Sequence, residues 1–169
     1  MILTVEEVCL GARRTLEIPG RGEVVVDIPA GSQPGQCLRL AGLGPLGADG
    51  REGDLHVHVE LTPHAYYRIK GRSIVLDLPI TPWEAALGTA LRVPTPYGPV
   101  RIRVPAGTQG GHALRLAGRG LPAPDGTGDL LVHVKIVLPP EPGAEELELY
   151  GKLAAVSRFD PRAHFNTGD

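Results

Sequence analysis

Aromatic side chains are scarce here, at 4% of 169 residues, so any core must be built from Val, Leu and Ile. An apolar content of 42% supplies enough of them. Charge of one sign is lacking too: 17 basic residues meet 19 acidic ones, leaving a formal net charge of −2. Nucleic-acid binding usually leaves its mark as a basic domain, and the overall balance carries no such mark, though it leaves room for a local basic patch. No apolar run approaches the ~18 residues of a membrane span. The N-terminus also lacks the charged-then-apolar pattern of a secretory leader. These absences point to a soluble, cytoplasmic chain with no membrane partner. Cysteine is limited to Cys9 and Cys37. Both sit among apolar neighbours, where a thiol acts as a small hydrophobe, and no disulfide is expected.

What the chain has in plenty is Gly (23) and Pro (17), spaced as punctuation between short apolar runs. Such spacing reads as many short strands joined by turns. The strongest signal is an internal duplication. PAGSQPGQCLRLAGLG at 29–44 returns as PAGTQGGHALRLAGRG at 105–120, with eleven of the sixteen positions identical. Flanking segments match more loosely: TVEEVCLG with TPWEAALG, LEIP with LRVP, GEVVVDIP with GPVRIRVP, and GDLHVHV with GDLLVHV. Two copies of a unit of roughly 75 residues indicate tandem domains rather than a solenoid.

Each unit reads as mostly β, a small sandwich with a short helix. Val24–Ile28 and Val100–Val104 alternate β-branched residues and are closed by Pro, which cannot donate to an interior ladder. Cys37–Leu40, Ala113–Leu116, Leu55–Leu61 and Leu130–Leu138 are further strands. Segments 4–10 and 81–87 open with Thr and carry Glu three residues later, a capping box, and Gly11 and Gly88 end them. A polar, turn-like join is expected at 62–72. After Pro139-Pro140 the pattern turns helical, with Leu149, Leu153 and Val156 at i, i+4 and i+7 and Leu147 and Tyr150 widening the stripe. Glu145 and Glu146 at its start, and Lys152 and Arg158 near its end, suit the helix dipole. A helix this short is marginal alone and must pack on something. The expected organisation is therefore a first β-domain at 1–66, a second at 67–140, and a helix with a tail at 141–169.

Catalytic chemistry finds little footing. His56 and His58 share a strand face and His64 lies close by, but no Cys pair or suitably spaced carboxylate completes a zinc set. His133 repeats the position of His58, as a scaffold residue would. Ser32, Ser73 and Ser157 lack a glycine-flanked nucleophile elbow. The glycines of 107–111 precede a strand, not a helix, and form no phosphate cradle. No enzyme, metal or cofactor is expected. Arg13 and Arg14 are a better lead, because Leu16 and Ile18 follow them at alternating positions on a strand. Such an edge suits an extended peptide with acidic and apolar residues. Taken alone, the residues favour the plainer reading, in which Leu16 and Ile18 face the core and the arginines are simply solvated.

Taken together, TVEEVCLGARRTLEI, the doubled PAGxQxGxxLRLAGxG, GDL before each long strand, PHAYYRIKGRSI and TPWEAALGTALRVPTPYG resemble the C-terminal substrate-binding region of DnaJ-family co-chaperones. In PHAYYRIKGRSI, Ala65 and Tyr67 depart from the family's usual pattern. The Cys-x-x-Cys-x-Gly-x-Gly repeat is missing, so the resemblance is to the zinc-free branch, similar to the bacterial curved-DNA-binding type. His-Pro-Asp is missing as well, so these residues resemble the part of such a protein that follows the J domain.

The resemblance implies two similar β-domains and a terminal helix that pairs with its twin. It also implies a shallow groove in the first domain for unfolded clients and for the acidic tail of a DnaK-type chaperone. Carried over by position, Leu16, Ile18 and Tyr67 would line that groove, with Arg13 and Arg14 as cations. Leu147, Leu149, Tyr150, Leu153 and Val156 would make the homodimer contact. Weak DNA binding, through the scattered Arg13, Arg14, Arg39, Arg101, Arg103, Arg115 and Arg119, is the rival reading, and a purely structural dimerising domain with no client groove is a third.

Overall fold

A computed structural model describes residues 1–45 and 50–165, and the chain divides into two compact units, Met1–Ile136 and Val137–Asp169. In the first unit the order is β1 (Ile2–Leu3), α1 (Val5–Leu10), β2 (Ala12–Ile18), β3 (Gly22–Ile28), β4 (Cys37–Leu40), β5 (Leu55–His58) and β6 (Glu60–Leu61). The second repeat follows as β7 (Tyr67–Lys70), β8 (Ser73–Ile80), α2 (Pro82–Leu87), β9 (Thr89–Val93), β10 (Val100–Val104), β11 (Ala113–Leu116) and β12 (Leu130–Ile136). The architecture is mostly β, as the alternation and turn spacing predict.

The duplicated motifs do the same work twice. Thr4 and Thr81 cap α1 and α2, each accepting from the Glu amide three residues on while that Glu accepts from the Thr amide. Ser32 and Thr108, both buried, donate to the carbonyls of Pro29 and Pro105, which closes each PAG turn. In the LRLAG–GDL pairing, Asp54 accepts from the Gly42 amide at 3.1 Å and Asp129 from the Gly118 amide at 3.1 Å. The same carboxylates bind Arg39 and Arg115, at 2.5 and 2.6 Å. One carboxylate thus ties a turn to its own strand pair. That explains why Arg, Gly and Asp return together in both repeats. The second glycine of each AGxG meets backbone: a Cβ on Gly44 would lie 2.6 Å from the Asp54 carbonyl, and one on Gly120 2.5 Å from the Asp129 amide.

Sheet topology repeats with one asymmetry. Both copies have an antiparallel hairpin, β2–β3 and β9–β10, and an antiparallel pair, β4–β5 and β11–β12. In the second repeat β8 runs parallel to β12 over seven residues, Leu130↔Ile74 to Ile136↔Ile80. Its counterpart β1 pairs with β6 over two, Ile2↔Glu60 and Leu3↔Leu61. Leu130 is accordingly fully buried, whereas Leu55 at the equivalent place is half-buried. The expected turn at 62–72 is partly a strand. Tyr67–Lys70 pairs antiparallel with β8 and completes a four-stranded sheet, β11-β12-β8-β7.

The main apolar cluster draws from both repeats, joining Leu3, Val8, Ile28 and Val59 to Ile74, Val93, Leu121 and Leu130. Each fully buried aliphatic side chain contributes about 1.5–3 kcal/mol. Strict alternation of such residues therefore decides which strand face turns inward. It also corrects one expectation. Leu38 takes the inward position on β4, so Cys37 points to solvent beside His56, its sulfur 3.6 Å from Nδ1. Cys9 is buried, both thiols are free, and burial pushes the Cys9 thiol up to about 11.

In the second unit, α3 spans Ala144–Val156. Glu146 accepts from the Gly143 amide at 2.7 Å, and Lys152 pairs with Glu148 one turn earlier at 2.6 Å.

Candidate peptide-binding edge and terminal helix

β2 is built by alternation: Ala12, Arg14, Leu16 and Ile18 share one face, while Arg13, Thr15 and Glu17 share the other. Register places Leu16 opposite Val24, and Arg14 opposite Val26. Leu16 is half-buried, whereas Ile18 is 6% exposed and belongs to the buried set. On its other side β2 has no hydrogen-bonded strand among the described residues, since its sheet contains β2 and β3 alone. A free edge of this kind can accept backbone hydrogen bonds from an extended chain of any sequence.

The two arginines do not act as one patch. As neighbours on a strand they point to opposite faces, and each already has a carboxylate. Arg13 pairs with Asp27 at 2.7 Å, and Arg14 pairs with Glu7 of α1 at 2.7 Å. The Thr4 amide, with help from Arg14, holds the Glu7 carboxyl below its ordinary range. Exposed pairs like Arg13–Asp27 hold weakly, so a ligand carboxylate could displace the internal one at small cost.

Tyr67, expected on the groove surface, is instead 5% exposed and part of the main apolar cluster. Its ring stacks on His64 with centroids 4.4 Å apart, and His64 accepts from the amides of both Tyr66 and Tyr67. Burial, with Glu6 nearby, pushes the Tyr67 hydroxyl up to about 12. The position of the aromatic was legible from the motif, but its burial was not. What buries it is the main apolar cluster, drawn from many elements including α1, and strand periodicity cannot reveal such company. The exposed neighbour is Tyr66, at 59%.

On α3 no residue is buried. Leu147, Leu149 and Leu153 are 56%, 58% and 59% exposed, Val156 is 77% exposed, and Tyr150 is intermediate. A 13-residue helix whose leucines and Val156 are mostly exposed lacks the packing that usually holds such a helix in place. No group of three or more metal-ligating side chains gathers among the described residues. No helix among them is long and apolar enough to cross a membrane.

Comparison with known proteins places these features in a lineage. The family model described as the DnaJ C terminal domain matches residues 1–139. A DnaJ-like protein of Synechocystis sp. is 42% identical over 161 residues, covering 95% of this chain and 48% of that protein. The curved DNA-binding protein of Coxiella burnetii is 45% identical over 139 residues, 81% of this chain and 44% of its own. Chaperone protein DnaJ 2 of Synechocystis sp. is 37% identical over 166 residues, 98% and 52% of the two chains. The chain thus spans about half the length of the curated relatives it matches.

Proposed function

This chain belongs to the DnaJ C-terminal domain family, and on that premise we propose that it is the client-binding and dimerising part of a cytoplasmic co-chaperone. Its role is binding, not catalysis. Clients are extended or unfolded polypeptides, which add to the open edge of β2 by backbone hydrogen bonds. Leu16 contacts their apolar side chains, with Ile18 as floor behind it and Tyr67 holding the hairpin's neighbourhood from within the core. Arg13 and Arg14 exchange Asp27 and Glu7 for carboxylates of the acidic tail of a DnaK-type chaperone. The observation that carries this reading is the edge of β2, unpaired among the described residues, beside a half-buried Leu16. Residues 1–66 and 67–140 act as two domains, the first for clients and the second as spacer. Through Leu147, Leu149, Tyr150, Leu153 and Val156, α3 pairs with its copy in a homodimer.

Fluorescence anisotropy with a labelled apolar, unstructured peptide tests the client edge. Leu16→Asp is expected to weaken binding by about tenfold or more, the ~1.4 kcal/mol that one apolar contact supplies. Equal binding by a variant that keeps its circular dichroism spectrum rejects the assignment. The relatives named curved DNA-binding protein support a second reading, binding to DNA. Its signature is a steep loss of affinity with salt.

A further inference from the structure

The two hairpins of the duplicated unit differ in charge. In β2–β3, residues 12–28 carry three arginines and three carboxylates; in β9–β10, residues 89–104 carry three arginines and none. The repeat makes the substitutions explicit. Glu17 corresponds to Arg92, Val25 to Arg101 and Asp27 to Arg103. Arg92 stands directly opposite Arg101 in the register, and Arg103 lies two further along β10, so all three share one face. That face is outward: Arg92, Arg101 and Arg103 are exposed, while Val93, Ile102 and Val104 are buried behind them. None of the three forms an ion pair among the described residues, unlike Arg13, Arg14, Arg39, Arg68 and Arg115. Like charges placed directly opposite destabilise a strand pair. A face that keeps them has no internal reason to do so.

Beside these cations lies an open groove of about 640 Å³, lined by Leu87, Thr89, Ala90, Arg101 and Arg103. Leu87 is 78% exposed. We propose that this face docks an acidic, extended polypeptide segment in which carboxylates alternate with aliphatic residues. Such a chain repeats every two residues, about 6.7 Å, the same spacing that separates Arg101 from Arg103 along β10. Its carboxylates take bidentate guanidinium contacts, and its aliphatic side chains, which leave an extended chain on the opposite side, cover Leu87 beyond the strand pair. Three guanidinium groups suit one short acidic segment. They are few beside the roughly 6–10 phosphate contacts of a salt-sensitive nucleic-acid binder, and a phosphate backbone offers nothing to Leu87. This site is separate from the β2 edge and does not need it.

The test titrates the 169-residue chain into a labelled short peptide of alternating Glu and Leu, with duplex DNA and an alternating Lys-Leu peptide in parallel. Wild type is expected to bind the Glu-Leu peptide in preference to both. Arg101→Gln with Arg103→Gln should weaken that binding about tenfold or more, and Lys70→Gln, which removes an exposed cation of β7 outside the groove, should leave it unchanged. On the unmodified protein, amide chemical-shift changes should cluster at Thr89–Val93 and Val100–Val104. Shifts confined to β2–β3, unchanged affinity in the double variant, or DNA binding without peptide binding would each overturn the proposal.

Discussion

Replacing Leu153 by Ala separates the contact made by α3 from the helix itself, because Ala keeps the helical propensity and removes only the side chain. Leu153 is 59% exposed in the single chain. Fully burying a Leu side chain is worth about 1.5–3 kcal/mol, so covering the remaining portion contributes about 1–2 kcal/mol per protomer. A symmetric helix pair makes the contact twice. The expected loss is about 2–4 kcal/mol per dimer, or roughly 30- to 700-fold in the dimer dissociation constant. Sedimentation equilibrium over a range of concentrations reads this directly. Lys152→Ala serves as control: it removes an exposed pair with Glu148 and should cost a few tenths of a kcal/mol, with little effect on dimerisation. If Leu153→Ala sediments like the wild type, or if the wild type is a monomer throughout, α3 is not the dimer contact.

Tyr67→Ala should destabilise the first unit by about 3–5 kcal/mol, the usual cost of emptying an aromatic site in a core, read as a shift of the urea midpoint. Any loss of client affinity should then disappear once the comparison is made on folded protein. Gly31→Ala should be worse tolerated than its exposure suggests, since φ is +86° and a Cβ would run into the Pro122 carbonyl; soluble yield and thermal midpoint check this. Acid should weaken the fold through its clamping carboxylates. Asp54, Asp77 and Asp129 are all held below the ordinary range, by the Gly42 amide and Arg39, by Arg68 and Lys135, and by Arg115 and the Gly118 amide. Their stabilisation is complete above the unfolded carboxyl value of about 4 and is lost as pH falls through the lower folded values. Asp77→Asn should flatten that acid limb in a pH series of denaturant melts. Finally, amides of β5 should exchange faster than those of β12, because β12 pairs with a strand on both sides whereas β4 is the one strand partner of β5 among the described residues.

Much of the fold was legible because the duplication supplies each element twice. Two capping boxes, two PAG turns and two LRLAG–GDL pairs fix the helices, loops and strand pairs to within a residue or two of their observed bounds. Tyr67–Lys70 escaped because four residues beside Gly71 read as a turn until β8 offers them a partner. Side-chain fate was harder than strand identity. Leu16 and Tyr67 look alike to a pattern of apolar alternation, yet Tyr67 joins the main apolar cluster while Leu16 stays half-buried. Arg13 and Arg14 read as a cation pair in one dimension. The pleat sends them apart, and only the structure reveals Asp27 and Glu7 waiting for them. The arginines of β9–β10 lay in plain view as LRV and RIR, but their significance depends on register, which puts Arg92 and Arg101 face to face.

Amide-resolved hydrogen exchange, with and without a saturating unstructured apolar client, tests the central claim most directly. Client addition to the open edge predicts new protection at the β2 amides that β3 does not engage, centred on Thr15–Glu17. Protection elsewhere with β2 unchanged, or none at all despite measurable binding, would contradict it.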